Sequence, residues 1–227
     1  MSMRIGVVVC AAGLGERSGL SYPKQLFEIQ GKPLWSWALR PILEIDAQVI
    51  PVVVLPANHQ EAARFIVPDR TIRFTTGGPT RVASVRKGLA MLEGEPLDLL
   101  LVHDGARPCL ERTLLLPLIE EARTFGAATL GVFVRDALKK VDGCTIICDI
   151  PRNGLCTIQT PQAFLPEILY GAHAFAKERG IEDAPDDAHL VQLLGKEVRV
   201  VRGSPFNLKV TYPEDFEFAI RYLLHKG

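Results

Sequence analysis

The 227-residue sequence has no excess of charge of either sign: 26 lysines and arginines stand against 26 aspartates and glutamates. That balance argues against bulk attachment to nucleic acid or an anionic membrane, both of which draw on a basic excess. Long apolar runs are missing too. The run Ile5–Ala12 is short and is broken at once by Gly13 and Gly15. It resembles neither a signal peptide nor a membrane span of roughly 18 apolar residues. Cysteine is sparse: Cys10, Cys109, Cys144, Cys148 and Cys156 are odd in number and lack zinc-ligand spacing. They read as reduced thiols of a cytoplasmic protein, with Cys10 buried in a strand. Cys144 and Cys148 stand close enough in sequence to pair or to share a metal, but no histidine cluster accompanies them. Repeats, linkers and low-complexity tracts are absent from the sequence. One domain over residues 1–227 is expected.

What is present is an alternation of two periods. Arg4–Cys10, Val49–Leu55, Ile72–Thr75, Leu97–His103 and Ala127–Val134 are apolar runs rich in β-branched residues and predict buried strands. Between them, Leu34–Leu43, Thr80–Leu92 and Glu111–Phe125 carry helical stripes; Val82, Val85, Leu89 and Leu92 share one face. This predicts an α/β fold, a mainly parallel twisted sheet with helices on both faces. In such sheets ligands bind beyond the carboxyl ends of the strands, so Gly13, Gly77-Gly78 and Asp104 are expected on one edge.

The alternation breaks near residue 136. Leu138–Val141 and Cys144–Ile150 are short strand-like runs around Asp142-Gly143, a two-residue hairpin signal. Lys139 and Lys140 suit a core poorly. The segment at about 136–152 therefore reads as a projecting arm, packed on a partner subunit or folded back on its own sheet. A strand from Leu155 to Thr160, helices over Ala163–Lys177 and Asp186–Leu194, a strand at Glu197–Val201 and a closing helix from Pro213 complete the prediction.

The most informative segment is Ala11-Ala12-Gly13-Leu14-Gly15-Glu16-Arg17-Ser18, followed by Pro23-Lys24-Gln25. Small residues after a strand let backbone N–H groups approach phosphate oxygens. Arg17 supplies a planar fork and Lys24 a point charge. A Walker A loop is absent, and the third glycine of a dinucleotide fingerprint is Ser18. On its own the segment is either a phosphate loop or a tight β-α turn with surface charges.

Other motifs follow in order: His103-Asp104-Gly105-Ala106-Arg107-Pro108, Val134-Arg135-Asp136, Arg152-Asn153-Gly154-Leu155, Thr160-Pro161-Gln162, and Asn207-Leu208-Lys209-Val210-Thr211 with Pro213-Glu214-Asp215. Each is weak alone, but the ordered set spans nearly the whole chain. It resembles the 2-C-methyl-D-erythritol 4-phosphate cytidylyltransferases of the non-mevalonate isoprenoid pathway.

That resemblance implies a Rossmann-like nucleotidyltransferase fold, CTP and methylerythritol phosphate as substrates, and a homodimer built through the β-arm. It implies that Gly13, Gly15, Arg17 and Lys24 hold the triphosphate and that Lys209 lies near the reacting phosphates. Asp104 lies beside the ribose and a divalent cation, Mg2+ or another, which bridges phosphates and keeps several waters. Gly78 and Ser84 read the cytosine with the backbone of Ala11 and Ala12. Arg107, Arg152 and Thr160 serve the acceptor, Arg152 across the subunit boundary. Three positions depart from the family pattern: Pro79 replaces an acidic residue, Ala137 a threonine, and Pro185 the threonine before Asp186-Asp187. The aspartate pair itself reads as structural, at a helix N-terminus. Ribitol 5-phosphate as acceptor, a nucleotide-binding module without catalysis, and a NAD-dependent dehydrogenase are the competing expectations.

Overall fold

The computed structural model describes residues 2–13, 15–57, 59, 60, 63, 69 and 71–226; Leu14 of the glycine loop lies outside them. Seven strands form the main sheet: β1 (Arg4–Cys10), β4 (Gln48–Leu55), β5 (Arg73–Thr76), β6 (Leu99–Asp104), β7 (Ala127–Phe133), β10 (Cys156–Phe164) and β11 (Arg199–Arg202). β2 (Glu28–Ile29) pairs with β3 (Lys32–Pro33), and β8 (Leu138–Asp142) pairs with β9 (Thr145–Ile150). Among the described residues the helices are α1 (Leu34–Leu43), α2 (Arg81–Ala90), α3 (Leu115–Phe125), α4 (Pro166–Glu178), α5 (Asp187–Leu193) and α6 (Pro213–Lys226).

The main sheet runs β11-β7-β10-β6-β1-β4-β5. Only β10 opposes the common direction, pairing antiparallel with both β6 and β7. From β1 the chain builds outward through β4 to β5, then returns to place β6 on the other flank of β1. This reversal of strand order opens a crevice at the carboxyl ends of β1 and β6.

Side chains alternate between two cores, as the pleat requires. Ile5, Val7 and Val9 of β1, with Leu99 and Leu101 of β6, pack beneath α1 and α3. Val8, Leu100 and Val102 face the opposite way, toward α2, α4 and α5. A third cluster seats Phe216, Ala219 and Leu223 of α6 on Leu34 and Trp37 of α1.

Several boundaries move from their expected places, among them the strand expected at Glu197–Val201, which is Arg199–Arg202. The strand β10 continues through Ala163 and Phe164, and its helix begins only at Pro166. Ala163 and Phe164 are fully buried between β6 and β7, so their apolar character serves the sheet. The stretch from Glu111 opens as a 3-10 turn, Arg112–Leu114, before α3. In the arm, Asp142 pairs with Thr145, so the two loop residues are Gly143 and Cys144 rather than Asp142 and Gly143. Gly143 takes a left-handed φ of 54°, and a bulge between Lys140 and Val141 shifts the register. All six residues of β9 are exposed, so the arm is not folded back on its own sheet. Cys144 and Cys148 are free thiols on it.

Helix α2 lies close on the sheet because residue 88 is glycine. A Cβ there would stand 2.4 Å from a Val8 methyl and 3.0 Å from one of Val54. Overpacking of this kind costs about 1–3 kcal/mol. Gly88→Ala is expected to lower the melting temperature by about 2–4 °C per kcal/mol, read by thermal unfolding.

Candidate active site

The crevice is a cleft of about 740 Å3. Its floor comes from the ends of β1 and β6, where Cys10 and Asp104 pair in register. One wall is the glycine loop, the other is the turn from β5 into α2. The two walls touch: a Cβ on Gly77 would lie 2.2 Å from the Cβ of Ala12, and one on Gly78 would lie 2.5 Å from that of Ala83. Glycine at 77 and 78 is therefore required by close approach. At Gly15 the requirement is conformational, with φ at 73°.

The α2 turn is held by its own polar groups. Thr80 caps the helix by accepting from the Ala83 N–H at 3.0 Å. Ser84 Oγ accepts from the Gly78 N–H at 3.0 Å and donates to the Thr80 carbonyl at 2.9 Å. Lys87 Nζ donates to the Gly77 carbonyl at 2.9 Å. The Ser84 hydroxyl thus shapes the wall that a base would meet. Ala12 and Gly13 line the cleft, while Ala11 is buried behind them, its N–H bonded to the Val54 carbonyl at 2.8 Å.

Among the described residues, four cations line the cleft: Arg17, Lys24, Arg81 and Lys209. Lys24 lies in a 3-10 turn and is nearly buried; its Nζ donates to the Val210 carbonyl at 2.6 Å. That bond ties the turn after the glycine loop to the segment that carries Lys209. The Val210 N–H in turn donates to the Ala106 carbonyl at 2.8 Å. Arg17 sits over the Tyr212 ring, 5.8 Å from its centroid. Burial lowers the pKa of Lys24, and the neighbouring charges of Lys209 and Arg17 lower it further.

Asp104 is the carboxylate that these groups face. Lys209 Nζ stands 2.9 Å from its Oδ2, Arg107 Nε 3.7 Å from the same oxygen, and Arg81 Nε 3.7 Å from Oδ1. Burial alone would raise its pKa; Lys209, Arg81 and Arg107 outweigh burial and hold it well below the usual carboxylate range. Behind it, Thr160 Oγ1 accepts from the Asp104 N–H at 3.0 Å and lies 2.9 Å from Nδ1 of His103. Burial pushes His103 down to about 3, so its ring is neutral.

Arg107 and Thr160, expected at the acceptor, do not line the cleft. Arg107 Nη1 donates to the Asn207 carbonyl at 2.7 Å, and Asn207 Nδ2 donates to the Thr160 carbonyl at 2.9 Å. Both residues brace Asp104 and the Asn207–Lys209 segment from behind. Arg152 is exposed at the base of the arm, donating to the Arg135 carbonyl, and is not among the cleft residues of its own chain.

Sequence reasoning missed Arg81. Its guanidinium Nη2 lies 2.8 Å from Oδ2 of Asp187, a residue with no exposed surface. Asp187 is also bound through Oδ1 to His173 Nε2 at 2.9 Å, and its pKa is lowered by Arg81 and His173 against the opposing effect of burial. Asp186 alone does the capping expected of the pair, accepting from the His189 N–H at 2.8 Å. A signal for Arg81 existed: a cation in the first turn of a helix opposes the helix dipole and needs a local anion. Cys10 lines the cleft rather than lying fully inside, and its thiol is pushed up to about 12 by burial.

The family model for 2-C-methyl-D-erythritol 4-phosphate cytidylyltransferase matches residues 5–225. The chain belongs to this family. A relative of that name from Geobacillus kaustophilus is 39% identical over 223 residues, covering 96% of each chain. One from Carboxydothermus hydrogenoformans is 36% identical over 220 residues, covering 95% of this chain and 94% of the relative. The crystal structure of the Thermus thermophilus cytidylyltransferase matches with a TM-score of 0.80 at 34% identity, over 96% of this chain and 98% of that one. The Rossmann-like α/β fold expected from the motifs is that of the family.

A lysine held charged in a nearly buried, cation-rich position lowers stability at neutral pH, because folding depresses its pKa. Lys24→Met removes that opposed charge but also the bond to the Val210 carbonyl, so the melting temperature is expected to move by less than about 4 °C, for about 1 kcal/mol either way, while CTP binding weakens. Thermal unfolding and calorimetric titration of CTP measure the two effects.

Proposed function

We propose that this chain transfers CMP from CTP to 2-C-methyl-D-erythritol 4-phosphate, releasing pyrophosphate. The family match along nearly the whole chain carries the reading, and the cleft chemistry supports it. An acceptor phosphate oxygen attacks the α-phosphorus in line. A new P–O bond forms, the bond from the α-phosphorus to the bridging oxygen breaks, and pyrophosphate leaves with the electron pair. The attacking phosphate is already anionic near neutral pH, so no general base is needed. The barrier lies in bringing two polyanions together, and fixed positive charge lowers it.

In this reading the Gly13–Gly15 loop, Arg17 and Lys24 take the triphosphate, and Lys24 stabilises charge growing on the leaving side. Lys209 serves the reacting phosphates from the opposite side. The base sits between Ala12 and the Gly78 turn. Ser84 acts by fixing that turn, and Thr160 and Arg107 act by fixing Asp104 and Lys209.

A divalent cation, Mg2+ by preference, suits Asp104 in its donor chemistry: one ionised carboxylate at the cleft floor, with substrate phosphates and water for the rest. Asp104 would hold it, and the ion would supply charge neutralisation at the phosphates; Lys209, itself a cation, would serve the phosphates and not the ion. Among the described residues no group of three acidic, histidine or cysteine side chains could hold a metal alone.

The arm completes the proposal. Val141, Ile146, Ile147 and Ile150 leave apolar surface exposed on it, which suits a second copy of the chain and would bring Arg152 to that copy's acceptor phosphate. A cytoplasmic location accords with the described residues, in which no helix is long and apolar enough to cross a membrane.

Pyrophosphate release is expected only with CTP, methylerythritol phosphate and a divalent cation together, and not with ribitol 5-phosphate. Lys24→Ala should lower kcat by about 10²–10³-fold; wild-type turnover by that variant would remove the central assignment. Sedimentation should show a dimer that becomes a monomer in Ile146→Asp. A wild-type monomer, fully active on dilution, would overturn the arm-exchanged site.

A further inference from the structure

Arg81 spans two carboxylates with a single charge. Its tighter contact, 2.8 Å, is to Asp187, and its looser one, 3.7 Å, is to Asp104. Asp187 is fixed on every other side. His173 holds Oδ1, and the Gln162 side-chain oxygen accepts from the N–H groups of both Asp187 and Ala188, at 3.0 and 3.1 Å. Helices α2, α4 and α5 and strand β10 thus meet at one residue outside the cleft: the strand holds its backbone, and its carboxylate is shared between His173 and one guanidinium inside the cleft. Asp104 keeps its close contact for Lys209.

We propose that Asp187 is a positioning residue for the transfer reaction: it holds Arg81 off Asp104, so that the Asp104 carboxylate stays paired with Lys209 and accessible from the cleft. A guanidinium released from Asp187 finds its nearest anion at Asp104. There it can bind both oxygens side by side, which a lysine ammonium cannot match. Lys209 would then lose its partner and its aim. Asp187 thereby sets which cation owns the central carboxylate, without touching substrate.

This inference rests on the transfer reading, and its test separates the two. Asp187→Asn keeps the shape and the backbone bonds to Gln162 but removes the charge. It is expected to lower kcat at least ten-fold, with KM for CTP changed less than about three-fold. In an Arg81→Met background the same substitution should cost nothing further, because the group it restrains is gone. Losses that multiply in the double variant would mean that Asp187 serves folding alone, and would overturn the proposal. So would a folded Asp187→Asn protein with kcat within two-fold of wild type. Should Asp187→Asn fail to fold, Arg81→Lys decides. An ammonium cannot claim both oxygens of Asp104, so Lys209 keeps its partner and kcat within about three-fold of wild type is expected; a loss of ten-fold or more would mean that Arg81 is needed in itself and would refute the role. One readout needs no turnover. The Nε–H resonance of Arg81, recorded without substrates, should shift in Asp187→Asn by more than in His225→Ala, a control on α6, which packs on α1 and supplies none of the groups around Asp187. An unmoved resonance would refute the proposal even if the wild-type protein proved inactive on methylerythritol phosphate.

Discussion

A carboxylate removed from water must gather positive charge or give up its own. Asp104 sits at the carboxyl end of β6 with little exposed surface and stays ionised because Lys209, Arg81 and Arg107 surround it. Much else at this edge of the sheet follows from that demand. The three cations arrive from three separate parts of the chain, and each needs its own support. Arg107 leans on Asn207, Arg81 on Asp187, and the Lys209 segment on Lys24 and Ala106. The result is a cluster in which no charged group can be shifted without re-pairing its neighbours.

Such a cluster suits a polyanionic substrate. Among the described residues, cations outnumber carboxylates around the cleft, so a triphosphate enters a field already arranged for it. Little reorganisation is then left for the moment of bond exchange. Lys24 illustrates the tension this creates. Its surroundings work against its charge in the free protein, and a phosphate would reverse that balance. Instability in the empty cleft and affinity in the filled one have the same origin.

Much of this edge was legible in the sequence. The β-branched run at Ile5–Val9 and the core run ending at Asp104 placed the glycine loop and the carboxylate side by side, since period and strand order are local properties. The ordered motifs brought Lys24 and Lys209 to the same cleft. Less legible were features decided by distant partners. Arg81 and Asp187 meet only because α2 and α5 lie over the same face of the sheet. The hydroxyls of Ser84 and Thr160 carried no mark that they would be spent on the backbone of their own fold. Ala163 and Phe164 looked like the start of a helix because a short apolar run is compatible with either period, and only pairing with β6 and β7 resolved it. The arm was recognisable, but its turn lies one residue later than the Asp142-Gly143 signal put it.

The single reversed strand has a consequence for how the arm is built into the chain. Because β10 runs against its neighbours, Cys156 at its start stands opposite Phe133 at the end of β7. Both roots of the hairpin therefore leave the sheet from the same edge, the one that carries the cleft. Lengthening or shortening the hairpin would not disturb a core residue, since the two anchor points stay in register whatever lies between them. Reach and tip chemistry are thus free variables of this architecture, while the position of the arm's base relative to the cleft is not. Arm length and contact surface can therefore change over evolutionary time while the residue at the arm's base keeps the same height above the sheet.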